Sequence, residues 1–224
     1  MEHGVKMYNS YIICLSKIES SLTTALALKK QLEDFNMPVE LFEGTYGNDA
    51  VDLVKNENRI YCTDTYDTIE EALRWEKKSS YPGVLGCFYS HYRLWQHCVA
   101  LNEPIIVWED DVVIKQPFVD VEWDEVLVLS LGFEELSQPY LHLLNNNNNP
   151  QALQYVEQHV PGTTGYAITP LGASKLLDKY RNTFAPSDIA MNKKVINIQI
   201  HSNVMGQAIV DKLSLVRNLK FWKK

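Results

Sequence analysis

Residues 104–112 read Pro-Ile-Ile-Val-Trp-Glu-Asp-Asp-Val, an apolar run that ends in three adjacent carboxylates. Four consecutive apolar residues are typical of a strand that is buried on both faces, in the middle of a mostly parallel sheet. Open α/β sheets bind ligands at the carboxyl ends of such strands, which is where Glu109, Asp110 and Asp111 would lie. Because adjacent carboxylates repel each other, the cluster indicates either a divalent cation with substrate phosphates or a fully solvated acidic turn.

The composition is that of a globular protein. The 224 residues are 46% hydrophobic and 22% charged, and the net charge of -7 argues against nucleic acid as a partner. The cysteines are scattered without a Cys-x-x-Cys pair, which fits reduced thiols in a reducing compartment. No apolar run approaches the roughly 18 residues that are needed to cross a bilayer. We therefore expect a soluble intracellular protein with a single domain.

The N-terminal part alternates strand, helix and strand. Residues 11–15 form an apolar run that predicts the first buried strand, and Ser16 or Ser20 could cap the helix that follows. Pro38 ends this helix, and residues 39–42 predict a second strand. This succession predicts a parallel pair of strands with a right-handed crossover. Residues 49–80 are polar, and we expect them to be partly helical.

A helix is predicted from about residue 83 to residue 102. Its apolar stripe, at spacings of three and four, consists of Cys87, His91, Leu94, Trp95, Cys98 and Leu101. His91 within this stripe is either a hydrogen-bonded core residue or a ligand, and Ser90 beside it leaves the same alternatives open. His97 lies off the stripe, which predicts a solvated position.

The second half of the chain contains two helix starts and two strands. Residues 126–131 predict a buried strand, and residues 195–200 alternate in a way that predicts an edge or half-buried strand. Thr169-Pro170 is typical of a helix start, and Ser187 or Asp188 could cap a further helix. His201 follows the last strand, either as a surface histidine or as a ligand. The asparagines at 145–149 predict an exposed loop.

Residues 211–224 combine cations with leucines and aromatic residues, and they end in Phe-Trp-Lys-Lys. A basic amphipathic segment on an acidic protein predicts contact with an anionic membrane surface. A terminal helix that docks on its own domain is the alternative.

Three segments, in this order, resemble glycosyltransferase family 25, which includes lipopolysaccharide and lipooligosaccharide glycosyltransferases. The first is Gly-Val-Leu-Gly-Cys-Phe-Tyr-Ser-His at residues 83–91, followed by Trp95. The second is the strand that closes in Glu-Asp-Asp-Val, and the third is residues 162–177 together with Pro-Ser-Asp at 186–188. One departure is that Lys17 stands alone where the family usually carries a run of arginines after the first strand.

The resemblance implies a GT-A fold, an α/β fold with a Rossmann-like, mostly parallel central sheet flanked by helices. Residues 7–132 would form the nucleotide-sugar-binding half, residues 133–210 the acceptor half, and residues 211–224 the basic tail. It also implies inverting transfer of a sugar, commonly galactose from UDP-galactose, to a lipid-linked oligosaccharide. Such an enzyme would be cytoplasmic and peripheral at the inner membrane.

The resemblance also implies roles for individual residues. Mn²⁺ or Mg²⁺ would be held by Asp111 with Glu109 or Asp110, and His201 could complete the metal shell. Asp188 would be the base that takes the proton of the acceptor hydroxyl. The residues expected to bind or brace the donor are Lys17, Ser90, His91, Glu109, Asp110 and Gly165.

Other activities remain open at this point. They are a retaining transferase on the same fold, a transferase with another donor such as UDP-glucose, and a catalytically silent module that binds a nucleotide sugar or a glycan. A haloacid-dehalogenase-type phosphatase is disfavoured, because it needs a second aspartate two residues after the first, and Asp110 is followed by Asp111 and Val112.

Overall fold

The computed structural model describes residues 8–118, 121–131, 154–155, 164–200 and 206–208. The helices of this part are α1 (Glu19–Asp34), α2 (Gly47–Asn56), α3 (Ile69–Ser79), α4 (Pro82–Leu101), α5 (Pro170–Lys179) and α6 (Ser187–Ala190). The strands are β1 (Asn9–Cys14), β2 (Val39–Glu43), β3 (Ile60–Tyr61), β4 (Ile105–Glu109), β5 (Val112–Ile114), β6 (Val126–Leu131), β7 (Gln154–Tyr155), β8 (Gly165–Ile168), β9 (Thr183–Phe184), β10 (Ile198–Ile200) and β11 (Gly206–Ala208).

Within the described ranges, nine of these strands form one mixed sheet. Its main order is β2-β1-β4-β8-β6-β10-β7, and β11 joins it by pairing with both β5 and β6. Strands β1, β2, β4, β6, β10 and β11 run in one direction, whereas β5, β7 and β8 run in the other. The prediction of a Rossmann-like, mostly parallel α/β sheet flanked by helices is confirmed, and this arrangement is compatible with a GT-A fold.

Strand β4 lies in the interior of the sheet, between β1 and β8. Its four apolar side chains are fully buried, as predicted. Because side chains alternate across a strand, Ile105 and Val107 join the core beneath α4 and α5, whereas Ile106 and Trp108 join the core beneath α1. The strand is therefore held from both faces, and its carboxyl end has a fixed position.

The serines near α1 do not cap it, contrary to the prediction. The N-cap residue is Ile18, and its side chain makes no capping hydrogen bond. Ser16 lies inside the turn that Ile18 closes by donating its backbone N–H to the carbonyl of Leu15, and Ser20 lies inside the first helical turn. The helix therefore begins between the two predicted caps.

Three further predictions near the core need correction. Helix α6 is a single turn with Pro186 as its N-cap residue, so neither Ser187 nor Asp188 caps it. Strand β10 is buried between β6 and β7 rather than at an edge, because its polar residue Gln199 is satisfied by accepting a hydrogen bond from the backbone of Asp124. His97 is half-buried rather than solvated, and its Nε2 lies 2.9 Å from the hydroxyl of Tyr11.

Some predictions fall outside the described residues. These are the asparagine loop at 145–149, His201 and the basic tail at 211–224. In the part of the chain that the structure does describe, no helix has the length and apolar character needed to span a membrane.

Candidate active site

The acidic cluster lies where parallel strands end together. Strands β1, β2 and β4 run parallel, and their register places Ile13 beside Glu109 and Cys14 beside Glu43. Asp110 and Asp111 form the turn that follows β4. Carboxylates from two strands and one turn therefore share the carboxyl edge of the sheet, where α/β proteins bind ligands.

A hydrogen bond from α1 holds the side chain of Asp110 in place. Ser21 donates a hydrogen bond from its hydroxyl to Oδ2 of Asp110, and it accepts one of 2.9 Å from the backbone N–H of Leu15. Burial raises the pKa of Asp110 to about 6, the charge of Glu109 adds to the rise, and the bond from Ser21 opposes it. The ionised carboxylate is therefore costly at neutral pH unless a cation is close to it.

The oxygen atoms of this cluster suit a hard divalent ion. Asp111 is half-buried in the same turn, and its Oδ1 atom is buried. Glu109 is 26% exposed, so its carboxylate reaches solvent at the sheet edge. Carboxylate oxygens on a short turn are the ligands that Mg²⁺ and Mn²⁺ prefer. Burial disfavours the ionised form of Asp110, and a bound cation would stabilise it. The residues present therefore fit the expected cation.

Glu109 is also the end of a buried hydrogen-bond chain. His91 is fully buried, and its Nε2 lies 3.2 Å from Oε1 of Glu109. The other ring nitrogen, Nδ1, lies 2.9 Å from the hydroxyl oxygen of Tyr166, and Trp95 donates to the same oxygen at 3.0 Å. His91 is therefore a hydrogen-bonded core residue that contacts the Glu109 carboxylate from the interior of the protein.

Asp188 is next in the chain to Ser187, which is linked to Glu109 through Cys87. The hydroxyl of Ser187 lies 3.1 Å from Sγ of Cys87, which in turn lies 3.6 Å from Oε1 of Glu109. Burial raises the pKa of the Cys87 thiol, and the negative charges of Glu109 and Asp188 raise it further. Cys87 is therefore a neutral thiol, and the structure brings the predicted base close to the acidic cluster.

Ser90 braces a loop rather than lining a surface. It is buried, accepts a hydrogen bond of 2.8 Å from the backbone N–H of Thr45, and donates one of 2.7 Å to the carbonyl of Gly86. A Cβ at Gly86 would lie 2.6 Å from the carbonyl oxygen of Thr45. The glycine therefore lets α4 pack directly on the loop that follows β2.

Lys17 lies on the exposed surface after β1, beside an aromatic ring. Its ammonium nitrogen is 5.3 Å from the ring centroid of Tyr46, and its backbone N–H donates to the hydroxyl of Tyr46 at 2.9 Å. Tyr46 donates to Glu43 at 2.8 Å. Although burial opposes the shift, hydrogen bonds from Ser16 and Tyr46 hold the pKa of Glu43 below its usual value. A cation and an aromatic ring thus stand together near this edge.

Gly165 has a packing role within the sheet. It lies in β8, and a Cβ there would approach ring atoms of Trp108 to 2.4 Å. The structure therefore brings Glu109, Asp110, Asp111 and Asp188 into one region and places Gly165 under the Trp108 ring. Sequence reasoning missed the contacts that Ser21, Tyr46, Tyr166 and Ser187 make here, because no spacing along the chain marks these residues as neighbours of the acidic cluster.

These features define a mixed α/β protein with a cluster of carboxylates at the carboxyl edge of a mostly parallel sheet. The family model described as "Glycosyltransferase family 25 (LPS biosynthesis protein)" matches residues 7–191. The chain therefore belongs to glycosyltransferase family 25.

The curated relatives are longer animal proteins. The protein named "Inactive glycosyltransferase 25 family member 3" is 34% identical over 105 residues in Homo sapiens, a match that covers 42% of this chain and 17% of the relative. Its counterpart of the same name in Mus musculus is 32% identical over 108 residues, with the same two coverages. The matches therefore span less than one fifth of the length of these relatives.

Proposed function

We propose that this protein is an inverting, metal-dependent transferase that moves galactose from UDP-galactose to a lipid-linked lipopolysaccharide or lipooligosaccharide acceptor. The observation that carries the proposal is the cluster of Glu109, Asp110 and Asp111 at the carboxyl edge of the sheet, in a chain that belongs to a glycosyltransferase family.

The proposed roles follow from the chemistry of the side chains. Asp111, with Glu109 or Asp110, would hold Mn²⁺ or Mg²⁺, and His201 is proposed as a further ligand. When bound, this cation supplies positive charge beside the diphosphate of the leaving group. Lys17, with its exposed side chain after β1, is proposed to contact the same diphosphate.

Asp188 is proposed as the catalytic base. It is half-buried, and its charge acts on Cys87, which contacts Glu109, so it lies near the cluster proposed to hold the donor. A carboxylate in this place could take the proton of the acceptor hydroxyl as the new glycosidic bond forms. General base catalysis of this kind contributes about 10²- to 10⁴-fold in rate.

The donor is identified by thermal denaturation of the protein with Mn²⁺ and a panel of nucleotide sugars. A ligand of the native state raises the melting temperature, and UDP-galactose should raise it most. Asp111→Asn should abolish the Mn²⁺-dependent part of the shift, whereas Asp52→Asn on the exposed face of α2 should leave it unchanged. Absence of a shift with every nucleotide sugar would refute the donor assignment, and a larger shift with UDP-glucose would correct it.

The role of Asp188 is tested by Asp188→Asn. We expect kcat to fall at least about 100-fold while donor-induced stabilisation persists, because only the proton acceptor is lost. Asp178→Asn on the exposed face of α5 is the matched control. A folded Asp188→Asn variant with near wild-type turnover would remove Asp188 as the base. If the product of the wild-type enzyme retains the anomeric configuration of the donor, a retaining mechanism replaces the inverting one.

A catalytically silent module that binds nucleotide sugars is the second candidate, because the curated relatives carry the word inactive in their names. The two candidates differ in the hydrolysis of UDP-galactose without acceptor. A transferase should release UDP slowly when Mn²⁺ is present. Stabilisation by UDP-galactose without any release of UDP, with or without acceptor, favours the binding module.

The basic tail at residues 211–224 is proposed to hold the protein at the anionic cytoplasmic face of the inner membrane. Deletion of residues 213–224 should weaken sedimentation with vesicles that contain anionic lipid, while turnover of a soluble acceptor is spared. Equal vesicle binding before and after the deletion would count against this contact.

A further inference from the structure

One cluster near the acidic edge contains three different kinds of metal ligand. Cys87, His91 and Glu109 each place one ligand atom within 4.8 Å of the ligand atoms of the other two. We propose that these residues form a second cation site, which takes a borderline transition ion such as Zn²⁺ in preference to Mn²⁺. This site goes beyond the proposed transferase activity and does not depend on it.

Two of the three separations between the ligand atoms match a tetrahedral site, and the third is within 4.8 Å. Nε2 of His91 is 3.2 Å from Oε1 of Glu109, and Sγ of Cys87 is 3.6 Å from the same oxygen. Bonds of about 2.3 Å to sulfur and about 2.0 to 2.2 Å to nitrogen and oxygen place the ligands of tetrahedral zinc roughly 3.3 to 3.6 Å apart. Oε1 of Glu109 is therefore already at the separation from both other ligand atoms that a shared ion requires.

The ligands come from rigid elements. Cys87 and His91 are four residues apart on α4, so they share one face of the helix, and Glu109 ends the central strand β4. Cys87 contacts the hydroxyl of Ser187 and His91 contacts that of Tyr166, so a neighbouring hydroxyl group orients each of these two ligands. Such support raises the affinity and the selectivity of metal sites.

Tyr166 sets the protonation state that a metal needs. With an ion at Nε2 of His91, the ring proton lies on Nδ1 and is donated to the hydroxyl oxygen of Tyr166, 2.9 Å away. That oxygen can accept this bond as well as the one from Trp95. On binding, the Cys87 thiol releases its proton to solvent, and the thiolate forms the bond to the ion.

The ligand types decide which ion binds. Thiolate and imidazole favour Zn²⁺ and Co²⁺, whereas the carboxylates of Asp110 and Asp111 favour Mn²⁺ or Mg²⁺. Glu109 belongs to both groups, because it faces His91 on one side and is 26% exposed at the sheet edge on the other. Zn²⁺ at the inner site would therefore draw Glu109 away from the outer carboxylates.

Co²⁺ reports on this site without donor, acceptor or turnover. Titration of the full chain with Co²⁺ should produce a thiolate-to-cobalt charge-transfer band that saturates at one equivalent and is displaced by Zn²⁺. Cys87→Ser should remove the band. Cys98→Ser should keep it, because Cys98 is buried on the same helix but bonds to the carbonyls of Glu103 and Ile168 instead.

A second measurement uses the wild-type protein and so does not depend on the folding of a variant. Zn²⁺ should slow alkylation of Cys87 at least about tenfold, as read by mass spectrometry of its peptide, and should leave the rate at Cys62 unchanged. A wild-type protein without a thiolate band, a band that survives Cys87→Ser, or equal alkylation of Cys87 with and without Zn²⁺ would each overturn the site. Because no readout involves sugar transfer, failure here leaves the proposed function standing, and the reverse also holds.

Discussion

Asp110 carries a carboxyl group whose proton is held more tightly in the folded protein than in the unfolded chain. Burial raises its pKa from the usual 3.8 to about 6. The stabilisation from this group is therefore full below the unfolded pKa and is lost as the pH rises through the folded pKa. At neutral pH without a divalent ion, ionised Asp110 reduces the stability of the fold.

Asp110→Asn should therefore stabilise the protein at pH 7 in the presence of a chelator. We expect a gain of about 1 to 3 kcal/mol in the free energy of unfolding, which shrinks towards pH 5 as the wild-type carboxyl group becomes protonated. Urea denaturation at the two pH values measures it, with Asp52→Asn as the control. A variant that is no more stable than the wild type at pH 7 would contradict the burial of this charge.

At the residue scale, the sequence predicted the clustering of side chains that are adjacent in the chain, but not the contacts between distant residues. Glu109, Asp110 and Asp111 are neighbours, so their clustering needed no knowledge of the fold. Ser21 is 89 positions from Asp110, and Tyr166 is 75 positions from His91. These contacts depend on which strands pair and in what register, and no spacing along the chain encodes that.

Among the elements, α4 connects the most parts of the site. Its first turns pack on the loop after β2, its middle braces Glu109, and its apolar stripe contacts the core. Ser90 closes the first of these contacts by accepting the backbone N–H of Thr45. The position of the loop therefore depends on one buried hydroxyl group.

Ser90→Ala should destabilise the protein by about 1 to 3 kcal/mol, because it leaves the N–H of Thr45 without its side-chain acceptor. The exposed Ser174→Ala in α5 is the matched control and should change stability little. Chemical denaturation measures both variants. Equal stability of the Ser90 and Ser174 variants would show that the loop does not need this bond.

Long, strongly patterned elements were predictable, and short ones were not. The stripe of α4 and the apolar run of β4 gave their positions to within a residue or two, because burial imposes a period on the sequence. The single turn α6 and the buried strand β10 were misinterpreted. Local polar residues suggested a cap and an edge, whereas tertiary contacts satisfy Gln199 and leave Asp188 near the site.

In the whole molecule, a buried carboxylate ties three segments together away from the acidic edge. Glu125 is 4% exposed, bonds to Lys175 of α5 at 2.5 Å, and accepts the backbone N–H of Asn197 at 2.9 Å. The charge of Glu125 is therefore shielded from water and depends on these two partners.

Lys175→Met should destabilise the fold by about 1 to 3 kcal/mol, because it leaves a buried charge without its cation. Arg181→Met is the control, since Arg181 and Asp178 form a pair in which both side chains are more than 70% exposed, and its loss should change stability by less than about 1 kcal/mol. Thermal denaturation compares the two variants. Similar losses in both would show that water already screens Glu125.

The placement of β8 has a consequence for how the chain reaches this structure. Strands β4 and β6 pair with β8 but not with each other, and β8 follows β6 by more than thirty positions in the sequence. A nascent chain that has left the ribosome only as far as β6 carries two apolar strands whose shared neighbour has not yet been synthesised. Such non-local pairing raises the contact order and slows folding, so we expect the centre of the sheet to close late and its strand edges to stay unpaired until β8 is available.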